Sequence, residues 1–210
     1  MVTDRRRLTS GDRTFSEQQR SLLALIAEAM EGGVSLVVIR ELDLRARDLW
    51  TLSAAAVILA RGSATRVLVN GHADVALAAG ADGVHLPANG PAVARVRALG
   101  PPGWLVGRSA HSADELAAAA SADYVTFGTV FPTASKPGVA GQGVAALAAA
   151  VRSVHAPVLA IGGVTIERAG ECLAAGAVGV AAISLFMPAA SGGLGPREVV
   201  RLLRVASDAH

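Results

Sequence analysis

The segment from Gly107 to Ser112 places a histidine between a short apolar stretch and a helix-forming one. A strand predicted near 105–106 would end shortly before His111. In a parallel α/β barrel, catalytic side chains gather at this carboxyl-end rim. An imidazole at that position can accept and donate protons near neutral pH. We therefore predict that His111 is the catalytic residue.

A second group of residues could bind phosphate. Gly162 and Gly163 join a predicted strand to a helix, and Ile183 and Ser184 end the last predicted strand. Backbone N–H groups exposed by glycines at a helix start suit a phosphate dianion, and this is the usual phosphate position in such barrels. We expect these four residues to bind a substrate phosphate. The alternative is that the glycines serve only a tight turn.

The connection from Gly128 to Gly143 is longer than an ordinary loop between a strand and a helix. Near its middle it carries Thr133, Ser135 and Lys136, two hydroxyls and a cation. Loops of this kind often close over a substrate. We predict that these three side chains contact an anionic substrate; a mobile surface loop with a solvated lysine is the alternative.

Other polar residues follow predicted strands. Arg40 comes after the apolar run 37–39, which would bury its guanidinium unless an anion meets it. We expect Arg40 to hold a substrate carboxylate or phosphate, with a structural ion pair to Glu41 as the alternative. Asn70 and Ser109 also follow strands and are assigned to the substrate site.

The other histidines are not assigned to the site. His85 ends an apolar strand and is predicted to be a core residue with satisfied hydrogen bonds, whereas His72, His155 and His210 are predicted on the surface. None of these spacings is typical of metal ligands, and no paired carboxylates flank the predicted rim. We therefore predict no metal site.

The elements that must position these residues alternate along the chain. Short β-branched runs are followed by Ala/Leu-rich stretches, which is typical of repeated βα units. Strands are predicted near 2–3, 35–40, 66–69, 83–85, 105–106, 124–127, 158–161 and 179–183. Helices are predicted near 16–31, 45–61, 73–79, 91–99, 112–120, 144–153, 166–175 and 196–207. We predict the α/β class: one TIM-barrel domain over 1–210 with a short or truncated first strand.

Composition agrees with one such domain. The 210 residues are 52% hydrophobic but only 3% aromatic, so the core must be built from Ala, Val, Leu and Ile. The net charge is +2, and the arginines near the start lack the interleaved aromatic residues of a nucleic-acid-binding segment. No apolar span has the length of a membrane helix. We expect a cytoplasmic protein that binds neither nucleic acid nor membrane.

In combination, these residues resemble the thiamin phosphate synthase and thiazole tautomerase (TenI) superfamily. The resemblance extends from about Gly32 to Phe186. It is carried by segments in the family's order: 34–41, 70–74, 80–86, 107–111, 127–136 and 160–163. The resemblance implies a barrel fold, a small thiazole phosphate as substrate and a homodimer.

The two branches of the superfamily differ at a few positions. Thiamin phosphate synthases join a pyrimidine diphosphate to a thiazole phosphate and hold Mg²⁺ with two aspartates, where this chain has Gly71 and Gly90. They also carry a glutamine and a lysine for the diphosphate where this chain has Val38 and Leu42. Without these groups, departure of the diphosphate would lose electrostatic stabilisation.

The tautomerase branch resembles this chain at 70–71, 86–87 and 107–112. That resemblance implies an isomerase that aromatises a carboxylated thiazole phosphate tautomer in thiamin biosynthesis, with no cofactor. His111 would move the proton by metal-independent acid/base catalysis. We therefore expect a thiazole tautomerase. The alternatives are a divergent Mg²⁺-dependent synthase and a non-catalytic regulatory protein that binds a phosphate ligand.

Overall fold

The computed structural model of the protein describes residues 1–8, 14–133, 138–187 and 193–208. The strands are Leu36–Ile39 (β1), Arg66–Asn70 (β2), Gly83–Leu86 (β3), Leu105–Ala110 (β4), Tyr124–Phe127 (β5), Val158–Ile161 (β6) and Gly179–Ala181 (β7). The helices are Phe15–Glu31 (α1), Ala46–Ala60 (α2), Ala73–Ala78 (α3), Val93–Arg97 (α4), Ala113–Ala118 (α5), Gly143–Ser153 (α6), Ile166–Ala174 (α7) and Pro196–Asp208 (α8). Short 3₁₀ helices lie at Arg5–Arg7 and Ser184–Phe186.

The strand order is the order of the chain, β1 to β7. β1 pairs in parallel with β2, and β4, β5, β6 and β7 pair in parallel in succession. Parallel neighbours need a crossover between them, and the helices provide it. Alternating parallel strands and helices in chain order confirm the predicted α/β class of βα repeats.

The ends of the chain's first and last strands differ from the prediction. Val2 forms only an isolated parallel bridge with Val38, so the expected short first strand is reduced to that bridge. β7 ends at Ala181 instead of continuing to Ile183, and the chain turns into a 3₁₀ helix at Ser184. β4 is longer than predicted and runs through Ala110, directly before His111.

The described residues form two compact units, one from 1–84 and 183–201 and one from 85–182 and 202–208. In the first unit the core includes Leu22, Ile26 and Val37, which are fully buried. In the second unit, Val106 and Val125 are among the fully buried side chains. No helix within the described ranges has the length and apolar character to cross a membrane.

An ion-pair cluster holds the amino-terminal segment of the first unit. The Arg5 guanidinium lies 3.0 Å from the Glu41 carboxylate and 2.8 Å from that of Asp43. The Thr3 hydroxyl donates to the other Glu41 oxygen at 2.6 Å. Burial raises the pKa of Glu41, and the hydrogen bonds from Thr3 and Arg5 oppose that rise. Glu41 is thus a buried carboxylate whose partners come from the start of the chain.

Candidate functional site

His111 directly follows β4, as predicted, and its imidazole is tied to the start of the long loop. Its Nδ1 forms a short hydrogen bond with the carbonyl oxygen of Gly128. A carbonyl oxygen can only accept, so Nδ1 carries a proton. The Gln142 side chain donates to the same oxygen at 3.0 Å. In the neutral imidazole, the tautomer is therefore the one with its lone pair on Nε2.

The backbone around His111 is fixed by the first turn of α5. Ser112 accepts from the N–H of Glu115 at 3.3 Å, and the Glu115 carboxylate accepts from the N–H of His111 at 2.6 Å. This exchange satisfies two donors that a helix start would otherwise leave unpaired, much as a capping box does. His111 itself is exposed. Its imidazole is accessible and held in place.

A buried polar network lies on one face of β3, β4 and β5. His85 Nδ1 lies 3.0 Å from the Tyr124 hydroxyl, and its Nε2 lies 2.9 Å from the Ser109 hydroxyl. Thr126 contacts both Ser109, at 3.2 Å, and His85 Nε2, at 3.4 Å. Burial lowers the pKa of His85 to about 4, so the imidazole is neutral. His85 is a hydrogen-bonded core residue, as predicted, and Ser109 is its half-buried partner.

Gly107 makes room for this network. Its register partner on β5 is Tyr124, and a Cβ on Gly107 would lie 2.2 Å from the tyrosine ring. The ring therefore covers the glycine, which places its hydroxyl beside His85. Any larger residue at position 107 would displace the phenol.

The Gly162–Gly163 turn joins β6 to α7 and packs against the long loop. Both glycines have positive φ, +97° and +64°. A Cβ on Gly162 would lie 2.8 Å from the Thr129 Cα, and one on Gly163 would lie 2.5 Å from the Pro132 carbonyl oxygen. Glycine is therefore required here by the close approach of the two segments. The turn alone accounts for both glycines, and phosphate binding there stays a prediction.

A cation stands beside this turn. The Arg168 guanidinium donates to the Gly163 carbonyl at 3.2 Å and lies 4.8 Å from the centre of the Phe131 ring. The Thr165 hydroxyl caps α7 by accepting from the N–H of Arg168 at 3.3 Å. A positive charge at a helix start near two glycines is suited to an anion.

The long loop is anchored at both ends. Phe131 N–H donates to the Gly162 carbonyl at 2.9 Å, and Gln142 N–H donates to the Thr129 carbonyl at 2.8 Å. Thr133 is half-buried near the first end. Ser135 and Lys136, which were predicted to contact substrate, lie outside the described residues.

The remaining predicted residues lie in the first unit. Arg40 follows β1, is half-buried and forms no ion pair with any described residue. Its expected competitor Glu41 is bound to Arg5 and Thr3, so the predicted alternative of an Arg40–Glu41 pair is wrong. Asn70 ends β2, and Ile183 and Ser184 are half-buried at the start of the 3₁₀ helix. Their contact with substrate remains a prediction.

Arg108 points to the opposite side of β4 from Ser109, because successive side chains of a strand alternate. It is 5% exposed and donates to the carbonyls of Ala88 at 2.6 Å, Pro91 at 2.7 Å and Gly90 at 3.3 Å. Its Nε has no partner among the described residues. This buried cation fixes the loop after β3, at the place where the family resemblance implies a metal-binding aspartate.

The described residues contain no group of three His, Cys, Asp or Glu side chains that could hold a metal ion. Gly71, at the other position matched to a synthase aspartate, has φ +76° and no side chain to coordinate.

Sequence reasoning missed Tyr124, Thr126, Gln142 and Arg168. In the sequence, Tyr124 and Thr126 look like ordinary members of an apolar strand. The one indication of a shared polar role was that they are two residues apart and so lie on one face of the strand, the face of Ser109. The signal for Arg168 was its place in the first turn of the helix after the two glycines. Nothing in the sequence indicated that Gln142 would reach the Gly128 carbonyl.

The chain is similar over nearly its whole length to named proteins. A family model described as "Thiamine monophosphate synthase" matches residues 10–186. A "Putative thiamine-phosphate synthase" of Geobacter sulfurreducens is 44% identical over 88% of this chain and 86% of its own. A "Thiamine-phosphate synthase" of Chlorobium luteolum is 37% identical over 90% of this chain and 89% of its own. The solved thiamine phosphate pyrophosphorylase of Pyrococcus furiosus matches with TM-score 0.79 and 29% identity, over 99% of this chain and 94% of that one.

These findings confirm the predicted TIM-barrel type of fold and correct the predicted activity. The relatives are named synthases, which are transferases, so the assignment as a thiazole tautomerase and as an isomerase is wrong. The prediction failed because it gave a few positions more weight than the rest of the chain: the four missing synthase side chains and the short segments that resemble the tautomerase branch. The superfamily assignment is confirmed, and the match over 10–186 is decisive for it. The chain belongs to the thiamine monophosphate synthase family.

Proposed function

We propose that this protein is a transferase of the thiamine-phosphate synthase kind, which joins a pyrimidine diphosphate to a thiazole phosphate and releases pyrophosphate. The observation that carries the proposal is the 44% identity to a protein named "Putative thiamine-phosphate synthase", together with the match to a "Thiamine-phosphate synthase" at 37%. Both alignments span most of each chain, so they include the strand ends that hold the candidate residues.

The second unit supplies groups for a phosphate. The Gly162–Gly163 turn precedes the start of α7, and the Arg168 guanidinium, 3.2 Å from the Gly163 carbonyl, adds a positive charge. We assign this turn to the phosphate of the thiazole. In the first unit, Ile183 and Ser184 remain predicted phosphate-binding residues, and Arg40 and Asn70 are assigned to the diphosphate substrate. Thr133, Ser135 and Lys136 are assigned to the closing loop.

His111 has a polar role in this reaction. Its Nδ1 donates to the Gly128 carbonyl, and the neutral imidazole then offers Nε2 as an acceptor for a hydrogen bond from the substrate. The pyrimidine is the ring that carries such donors if it bears an amino group. Loss of one such hydrogen bond is expected to cost about tenfold in kcat/KM.

The residues present do not fit the Mg²⁺ site that the family resemblance implies. Gly71 and Gly90 have no carboxylates, and the described part of the chain holds no alternative cluster of three ligands. The roles assigned here therefore belong to the protein's own side chains and backbone.

The test is a pyrophosphate-release assay with a pyrimidine diphosphate and a thiazole phosphate, run with Mg²⁺ and again with EDTA. We expect pyrophosphate only when both substrates are present, with kcat/KM about tenfold lower for His111→Ala. His155→Ala, at an exposed histidine, is the matched control and should leave the rate unchanged.

If both substrates are supplied and no pyrophosphate forms under either condition, the transferase proposal is refuted. The absence of metal ligands at Gly71 and Gly90 favours one second candidate, a protein that binds a phosphate ligand without turnover. Calorimetric binding of the thiazole phosphate without pyrophosphate release would support that candidate.

A further inference from the structure

In the buried network of Tyr124, His85, Ser109 and Thr126, the donor and the acceptor of each hydrogen bond can be assigned. Tyr124 is 7% exposed, and within the described residues its hydroxyl meets His85 Nδ1 at 3.0 Å. A buried O–H left without an acceptor is costly, so the phenol donates to Nδ1. Nδ1 then has no proton of its own, and the neutral imidazole must carry its proton on Nε2.

The proton on Nε2 determines what Ser109 can do. Nε2–H donates to the Ser109 oxygen at 2.9 Å. Thr126 cannot donate to Nε2, which is protonated, so its hydroxyl donates to Ser109 at 3.2 Å. Both lone pairs of the serine oxygen are then occupied. What remains is the serine's own hydrogen, and Ser109 is half-buried whereas the other three members of the network are buried.

We propose that Tyr124 and His85 are positioning residues that hold Ser109 as a hydrogen-bond donor, so that the site selects a substrate group with a lone pair and no hydrogen. This inference rests on the proposed function, since that substrate offers two such groups: a ring nitrogen of the pyrimidine and an oxygen of its diphosphate. A substrate that presented an N–H at this point would meet another hydrogen and be rejected.

At neutral pH, the donors and acceptors of this network do not change. Burial lowers the pKa of His85 to about 4 and raises that of Tyr124, so both stay neutral. Among the described residues, the side chains hydrogen-bonded to His85 are the uncharged Tyr124, Ser109 and Thr126. Gly107 maintains the arrangement, because a Cβ there would lie 2.2 Å from the tyrosine ring.

The first test needs no turnover. The two ring nitrogens of His85 are read by two-dimensional ¹H–¹⁵N NMR of the ¹⁵N-histidine-labelled protein, with assignment by comparison with single glutamine variants of the five histidines. We expect the Nε2–H tautomer for His85 at pH 7. Observation of the Nδ1–H tautomer would overturn the proposal, because Ser109 would then donate to His85 and face the substrate as an acceptor.

The second test is a double-mutant cycle on binding of the pyrimidine diphosphate, measured by calorimetry. Ser109→Ala and Tyr124→Phe should each weaken binding by about tenfold. The double variant should bind no more weakly than Ser109→Ala, since Tyr124 acts through Ser109. If the two losses multiply, Tyr124 acts independently and the proposed positioning role is wrong. Ser153→Ala, which removes a hydroxyl on α6 bonded to the Ala150 carbonyl, is the control and should change nothing.

Binding of pyrophosphate without the pyrimidine distinguishes the two possible acceptors, the ring nitrogen and the diphosphate oxygen. If Ser109→Ala weakens pyrophosphate binding as well as substrate binding, the acceptor is a diphosphate oxygen; if it weakens only the substrate, the acceptor is the ring nitrogen. A wild-type protein that does not bind the pyrimidine diphosphate would refute the proposed function, and the tautomer of His85 would then decide the direction of the network by itself.

Discussion

At the scale of single residues, His85 has an ionisation that burial changes strongly. Its pKa falls from 6.5 to about 4, so the unfolded chain binds a proton at pH values where the folded protein does not. Its contribution to stability is complete above pH 6.5 and is lost as the pH falls to about 4. The free energy of unfolding should decrease by up to about 1.4 kcal/mol per pH unit in that range.

Urea denaturation between pH 4 and 8 checks this. His85→Gln should flatten the profile relative to the wild type, whereas His155→Gln, at an exposed histidine, should retain it. A His85→Gln profile with an unchanged slope would contradict the prediction.

Residues next to each other in sequence were easier to predict than residues that meet across strands. His111 lies past the carboxyl end of β4, as expected, although the strand ends at Ala110 and not at 106. The bond from Tyr124 to His85 joins residues 39 apart and depends on strand register. A register cannot be read from one strand alone, so the partner of Ser109 was missed.

At the scale of elements, a glycine can be required by a positive φ or by the close approach of another segment, and the β6–α7 turn allows the two requirements to be measured separately. Gly163→Ala combines strain at φ +64° with a Cβ 2.5 Å from the Pro132 carbonyl oxygen. Gly80→Ala has the same strain, at φ +67°, with no atom within 4 Å. We expect Gly80→Ala to cost about 1 kcal/mol and Gly163→Ala at least twice as much. Urea denaturation of both variants measures the difference, and equal losses would mean that the long loop moves aside at little cost.

Elements with a strong pattern were predicted to the residue. β5 and β6 occupy the predicted 124–127 and 158–161, since each is a continuous apolar or β-branched run. β4 was predicted to end at 106 but continues to Ala110. Gly107 and Arg108 interrupt the apolar pattern of β4. Both are explained by tertiary contacts: the Tyr124 ring covers Gly107, and Arg108 donates to the carbonyls near Gly90.

At the scale of the whole molecule, the Arg5 cluster is expected to make a large contribution to stability. Arg5→Gln leaves the buried Glu41 without its charged partner and should cost about 3 kcal/mol. Arg6→Gln removes a cation that is 58% exposed and 3.6 Å from Asp4, and should cost less than about 0.5 kcal/mol. Thermal and urea unfolding of both variants check this. Similar small losses would show that Glu41 is satisfied by Thr3 and backbone alone.

The fold and the activity were not equally predictable. Alternation of strands and helices recurs along the chain, so errors at single ends did not change the predicted class. The activity was inferred from Gly71, Gly90, Val38 and Leu42 and from the resemblance to the tautomerase branch at 70–71, 86–87 and 107–112. These few positions cannot outweigh similarity to named synthases along 88% of the chain. Physically, the absence of two metal ligands shows only that these positions do not bind a metal. It does not indicate which reaction the protein catalyses.

The hydrogen bonds from Arg108 to the carbonyls of Ala88, Gly90 and Pro91 limit which residue can replace the glycine at position 90. A Cβ on Gly90 would lie 3.0 Å from the Pro87 carbonyl oxygen, while its own carbonyl accepts from the buried guanidinium. An aspartate there would crowd Pro87, and its carboxylate would lie near the Arg108 guanidinium, which would compete with any metal. A single Gly90→Asp substitution is therefore not expected to create a metal site.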